Sequence, residues 1–187
     1  MRRRILIAAG LAFAALVAGQ LDCGGGGGGG GAPTQPPTAT LAFVPAGAAV
    51  ANSVALQDDG SGNVNTLTLQ VAAQSIGDLY GVAFDLAYPA TVLRYVDAAQ
   101  GSLLGAGGAP VSLQVSETTS GHLVVGISRL GNVGGVATAS GVLLSLRFEV
   151  RAAGSGVFAF SQSTCYNSSA IPIAGTQWIA GTVTATR

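Results

Sequence analysis

From residue 38 onward, apolar and polar side chains alternate with a period of two, the spacing of a strand that buries one face. In Thr66-Leu67-Thr68-Leu69-Gln70-Val71 the alternation puts Leu67, Leu69 and Val71 on one side. In the longer run 80–88 it puts Tyr80, Val82, Phe84, Leu86 and Tyr88 on one side, and Gly81, Ala83, Asp85 and Ala87 on the other. Shorter runs of the same kind occupy residues 41–44, 92–96, 111–115, 122–127, 142–150, 157–160 and 182–185. Turn-forming clusters separate them: Asp58-Asp59-Gly60-Ser61-Gly62-Asn63, the glycine-rich run 105–110, Ser120-Gly121, Gly134-Gly135 and Gly154-Ser155-Gly156. Nothing in this region carries a helical stripe. The pattern predicts an all-β fold, an antiparallel two-sheet β-sandwich of jelly-roll type with about nine strands. Large residues on one side of 80–88 and small ones on the other favour a sandwich in which each sheet supplies one inner face.

The first part of the chain follows other rules. Arg2-Arg3-Arg4 precedes an apolar segment over residues 5–18, the layout of a secretory signal. Its fourteen residues would span about 21 Å as a helix, short of the roughly 30 Å of a bilayer core. Residues 1–22 are therefore read as an export signal rather than a permanent anchor. Gln20-Leu21-Asp22-Cys23 resembles a bacterial lipoprotein processing site, which implies lipidation of Cys23; ordinary cleavage after Ala18 or Gly19 is the alternative. The unbroken run Gly24 to Gly31 and the proline-rich stretch to Pro37 make residues 23–37 a flexible tether, and residues 38–187 the folded domain. If Cys23 carries a lipid, Cys165 is left as a buried or half-buried thiol in a loop; a Cys23–Cys165 disulfide is the other possibility.

Composition narrows the function. Only 9% of the 187 residues are charged and 49% are hydrophobic, ample for a core and unlike a disordered chain. Lysine is absent, and three of the eight arginines sit in the signal, so clustered cations for nucleic acid are missing and no nucleic-acid partner is expected. From Cys23 onward five arginines face seven acids, close to neutrality, which gives little long-range steering of a charged partner.

The order of several segments resembles the cohesin domain, the sandwich module that receives dockerins in cellulose-degrading complexes. The similarity runs over residues 38–187. It rests on Leu67-Thr68-Leu69-Gln70-Val71, on Leu79-Tyr80-Gly81-Val82-Ala83-Phe84-Asp85-Leu86-Ala87-Tyr88, and on Thr91-Val92-Leu93 with Val96. Gln100-Gly101-Ser102-Leu103-Leu104, the glycine-led long strand over 141–150, and Trp178 to Thr184 as a closing strand complete it. Where the family usually has Asp-Pro after the tyrosine, this chain has Pro89-Ala90; proline ends the strand in both. The resemblance implies a non-catalytic module that docks a dockerin-type protein through the outer face of one sheet, in polysaccharide breakdown or envelope assembly. The strand 80–88 and those at 111–117, 122–128 and 157–162 would form that sheet, with Asp85, Gln114, Glu117, His122 and Gln162 as candidate contact residues. The expected location is the cell envelope, lipid-anchored at the surface, or the medium.

Other chemistry is weaker. Asp58 to Asn63 lacks the alternating oxygen ligands and terminal Glu of a calcium loop and reads as a polar turn. His122 is the only histidine and has no partners for a zinc set or a nucleophile beside it. Asp85 and Glu117 as a glycosidase pair would rest on nothing but their being acids. No catalytic residue, metal or cofactor is expected, and no enzyme activity. Direct carbohydrate binding, with Trp178 as a sugar-stacking ring, is the alternative function; a purely structural envelope role is a third.

Overall fold

The computed structural model describes residues 39–137 and 140–186. The predicted signal, Cys23 and the tether lie outside the described residues. The described residues form eleven strands in two sheets. They are β1 (Thr40–Pro45), β2 (Ser53–Asp58), β3 (Thr66–Gln74), β4 (Leu79–Ala87), β5 (Leu93–Gln100) and β6 (Val111–Thr119), followed by β7 (His122–Arg129), β8 (Ser140–Val150), β9 (Gly154–Asn167), β10 (Gln177–Ile179) and β11 (Gly181–Thr186). One sheet runs β1-β11-β9-β4-β7-β6 and the other β10-β2-β3-β8-β5. All pairs are antiparallel except β10 with β2.

Each predicted run falls within a strand or overlaps one. Two strands lie outside those runs. In β2, Ser53, Val54, Ala55 and Leu56 are all buried, so no alternation marks it. The closing strand expected over 178–184 is in fact two. The chain leaves the five-stranded sheet after Ile179 and joins the six-stranded sheet at Gly181. Gly181 is needed there, because a Cβ at this position would collide with the Phe43 ring and the Val44 carbonyl.

The run 80–88 is corrected at one position. Val82, Phe84, Leu86 and Tyr88 do face the core, but Tyr80 does not share their side; the fully buried neighbour is Leu79. Pairing of β4 with β9 jumps between Leu79 and Gly81. This bulge changes the alternation, and Tyr80 lines the outer surface, donating its hydroxyl to the Gly131 carbonyl at 2.8 Å.

Inner-face side chains of both sheets form one core. Leu56, Leu69, Leu144, Leu146 and Phe148 of the five-stranded sheet meet Val82, Phe84, Leu86, Leu123 and Ile127 of the other. Two aromatic groups bridge the layers. Phe148 packs 5.4 Å from Phe158 and 5.2 Å from Tyr88, and Phe158 in turn 5.8 Å from Phe43. Phe84 and Phe160 pack against Trp178 at 5.8 and 5.2 Å. Arg129, buried at the end of β7, donates to the Leu104 and Ala106 carbonyls at 2.8 and 3.2 Å and so fixes the loop leading to the short 3-10 turn Ala106–Gly108.

Cys165 lies within β9 rather than in a loop, fully buried and free. Burial pushes its thiol up to about 11. The folded state therefore holds the proton more tightly than the unfolded chain, whose thiol ionises near about 8.5. Stability is fully present below that pH and declines as pH rises toward 11.

Two outcomes follow. Phe148→Ala should cost about 3–5 kcal/mol in urea unfolding, the range for deleting a buried ring that its surroundings cannot refill. Between pH 8.5 and 11 the parent should lose on the order of 3 kcal/mol more than Cys165→Ala; equal losses would show that the thiol is not held neutral.

Candidate functional site

The strands β9, β4, β7 and β6 are neighbours in that order, and their register sets the outer face rung by rung. One rung reads Tyr166, Gly81, Ser128, Ser112; the next Thr164, Ala83, Gly126, Gln114; then Ser161, Asp85, Val124, Ser116; and last Ala159, Ala87, His122, Thr119. The two central strands thus present four glycine or alanine residues, Gly81, Ala83, Ala87 and Gly126, together with Ser128, Val124, Asp85 and His122, while the flanking strands carry mostly hydroxyl and amide groups. The result is a shallow trough with a low apolar floor and hydrogen-bonding rims. β9 and β6 stand three strand spacings apart, about 14 Å, and a helix with its side chains is about 10–12 Å wide.

The four rungs carry one acid and one histidine, and they are neighbours. Asp85 Oδ2 lies 3.7 Å from His122 Nε2, with the Asp85 side chain 14% exposed. The other ring nitrogen of His122 meets Thr118 Oγ1 at 3.1 Å. The remaining acid–base pairs among the described residues, Arg94 with Glu149 and Arg147 with Asp97, join β5 and β8 in the other sheet.

Asp85, His122 and Gln114 sit on the rungs of the outer face. Glu117 differs: it continues the side of Val111, Leu113 and Val115, which pack against the core, and it accepts the Tyr88 hydroxyl at the rim of the sandwich. Burial, and then the bond to this carboxylate, push the Tyr88 hydroxyl above its usual range. Gln162 lies in a bulge of β9, where pairing jumps from Asp85–Ser161 to Ala83–Thr164; it is exposed, with φ of +46°. Ser161 and Thr164 take the rung positions instead. Trp178 is half-buried, its ring engaged by Phe84 and Phe160.

A groove at one end of the trough takes in only Gln114 of the contact residues expected from the sequence. It has a volume of about 390 Å³ and is walled by Tyr80, Tyr166, Ser112 and Gln114 over a floor that includes Gly81 and Gly126. The bulge at Tyr80 conceals one wall, because strict alternation assigns that ring to the core. Gly126, interrupting the apolar residues Leu123, Val124, Val125 and Ile127 of β7, is the signal that was legible. Among the described residues no three His, Cys, Asp or Glu side chains gather to hold a metal ion.

The family model for the cohesin domain matches residues 53–185. No match is found among curated proteins. Solved structures share the fold. The second type II cohesin module of the adaptor ScaA scaffoldin of Acetivibrio cellulolyticus gives a TM-score of 0.57 at 15% identity, over 79% of this chain and 91% of that one. The type II cohesin A11 of Bacteroides cellulosolvens gives 0.56 at 14%, over 69% and 95%. A chain of a mutant type II cohesin–X–dockerin complex from Acetivibrio cellulolyticus gives 0.56 at 14%, over 67% and 92%.

Proposed function

Because the chain belongs to the cohesin domain family, we propose that it is a non-catalytic recognition module whose six-stranded sheet docks a dockerin-type protein. The observation that carries this reading is the trough on β9, β4, β7 and β6, wide enough for one helix and floored by residues that let a helix approach closely. Main-chain geometry is fixed by the core beneath, so few contact groups have to be ordered on binding, which lowers the entropic cost. Hydroxyl and amide rims supply hydrogen bonds, and the Asp85–His122 pair supplies the one charged feature of the floor. Asp85 and Gln114 are the contact residues best placed for this role, with His122 beside them; Glu117 and Gln162 border the surface.

The same reading covers the rest of the chain. Residues 1–22 direct export, Cys23 carries the lipid, and the glycine run holds the domain away from the membrane at the cell envelope, where a dockerin-bearing partner acts in polysaccharide breakdown or envelope assembly. No helix among the described residues is long and apolar enough to cross a membrane.

Two measurements check these statements. Asp85→Arg puts a bulky cation on the trough floor and should weaken binding of dockerin modules from the source genome at least about tenfold by calorimetry, with an unchanged circular dichroism spectrum; unaltered affinity moves the contact elsewhere. Palmitate labelling of the full chain should be lost in Cys23→Ala, together with the globomycin-sensitive processing step; processing that persists unchanged removes the lipid.

A further inference from the structure

Gly126 is a strand glycine that the fold does not require. Glycine inside a strand weakens it, through backbone entropy and the missing side chain. Among the described residues, the other strand glycines have a reason to be there: a Cβ on Gly81, Gly141, Gly154, Gly156 or Gly181 would come within 3.1 Å of a neighbouring atom. At Gly126 a Cβ would meet nothing within 4 Å, and its φ is not positive. What a side chain there would do is fill the groove between Tyr80 and Tyr166.

The lining also says what fits. None of the residues around the groove is ionisable in the neutral range; they are Tyr, Ser, Gln, Asn and small or apolar residues. The backbone of the floor is committed to ladders on both sides of β4 and β7, and the Tyr80 hydroxyl is committed to the Gly131 carbonyl. A charged group placed on this floor would meet no opposite charge, only the neutral hydroxyl and amide groups of Ser128, Ser112 and Gln114, and these compensate poorly for the water it loses. An aliphatic side chain would gain free energy from burial.

We propose that this groove receives a large aliphatic side chain, of leucine or methionine type, projecting from a helix of the docked partner, and that Gly126 sets its depth. The proposal rests on the docking reading above and adds the chemistry of the partner's anchor. Gly126 is then a specificity-determining residue, kept small at the expense of strand stability. Partners that carry a charged residue at the anchor position are rejected by the same uncharged lining.

The test has two arms. In the first, the ¹⁵N-labelled parent is titrated with isobutanol, a mimic of the leucine side chain, with acetate and guanidinium as charged controls. The amides of Gly81, Gly126 and Ser128 should shift saturably with isobutanol alone, and Gly126→Val should abolish the response. In the second, dockerin modules from the source genome are bound to the parent, to Gly126→Val and to Ala83→Leu on the same rung. Both variants should lose about tenfold to a hundredfold in affinity, the worth of burying one large aliphatic group. Gly126→Val should melt no lower than the parent. Isobutanol that leaves those amides unmoved, or charged controls that move them equally, overturns the anchor chemistry. A module that binds parent and both variants alike overturns the role of the groove while docking stands. A groove that takes isobutanol in a chain that binds no dockerin module overturns the docking reading, and with it the helix as the carrier.

Discussion

The ring of Phe148 is where the two layers are held to each other. It projects from β8 in the five-stranded sheet, meets Tyr95 of its own sheet at 6.0 Å, and reaches across to Phe158 of β9 and to Tyr88 just beyond β4. At the other end of the sandwich Trp178 from β10 crosses to Phe84 and Phe160. These contacts put large rings under β4 and β9, the strands whose opposite sides form half of the trough. Tilted and edge-on rings gain a little beyond the area they bury, but their larger consequence is geometric. With its inner side chains locked, the six-stranded sheet can carry glycine, alanine and serine outside without collapsing.

That division explains an outer surface poor in ionisable groups. A recognition face built of small residues has little affinity of its own for water-borne ions, and it gives a partner shape before it gives it charge. Bulges adjust the face locally. The jump between Leu79 and Gly81 turns Tyr80 outward, and the jump between Ala83 and Asp85 sets Gln162 off the rungs. Asp78 helps hold the neighbouring loop, accepting from Gly135 N at 3.0 Å and from Ser168 Oγ at 2.9 Å. The groove is thus walled by residues whose positions are fixed by backbone and loop contacts.

How far this could be read beforehand depended on alternation. Strands that bury one face, such as β3 and β7, were legible because every second residue is apolar. β2 was not, since four consecutive residues are buried and the period disappears. Trp178 to Thr184 looked continuous because the hydrophobic pattern does not show that the chain changes sheets at Ala180. Asp85 was legible as an outward position, but Tyr80 was misread, and of the candidates on the neighbouring strands Gln114 and His122 fall on the rungs while Glu117 and Gln162 each sit one bulge or one side away from them. A bulge inserts a residue without altering composition, so register beyond it is a tertiary fact. The family resemblance supplied the sheet assignment that local pattern alone did not.

The central claim is that a partner meets the outer face of β9, β4, β7 and β6 and no other surface. Hydrogen–deuterium exchange of the full chain, free and bound to a dockerin module, tests it most directly. The account predicts new protection confined to those four strands and the Gly131 loop, with the β5 and β8 surface unchanged. Protection on the five-stranded sheet, with the trough exchanging as in the free protein, would contradict it.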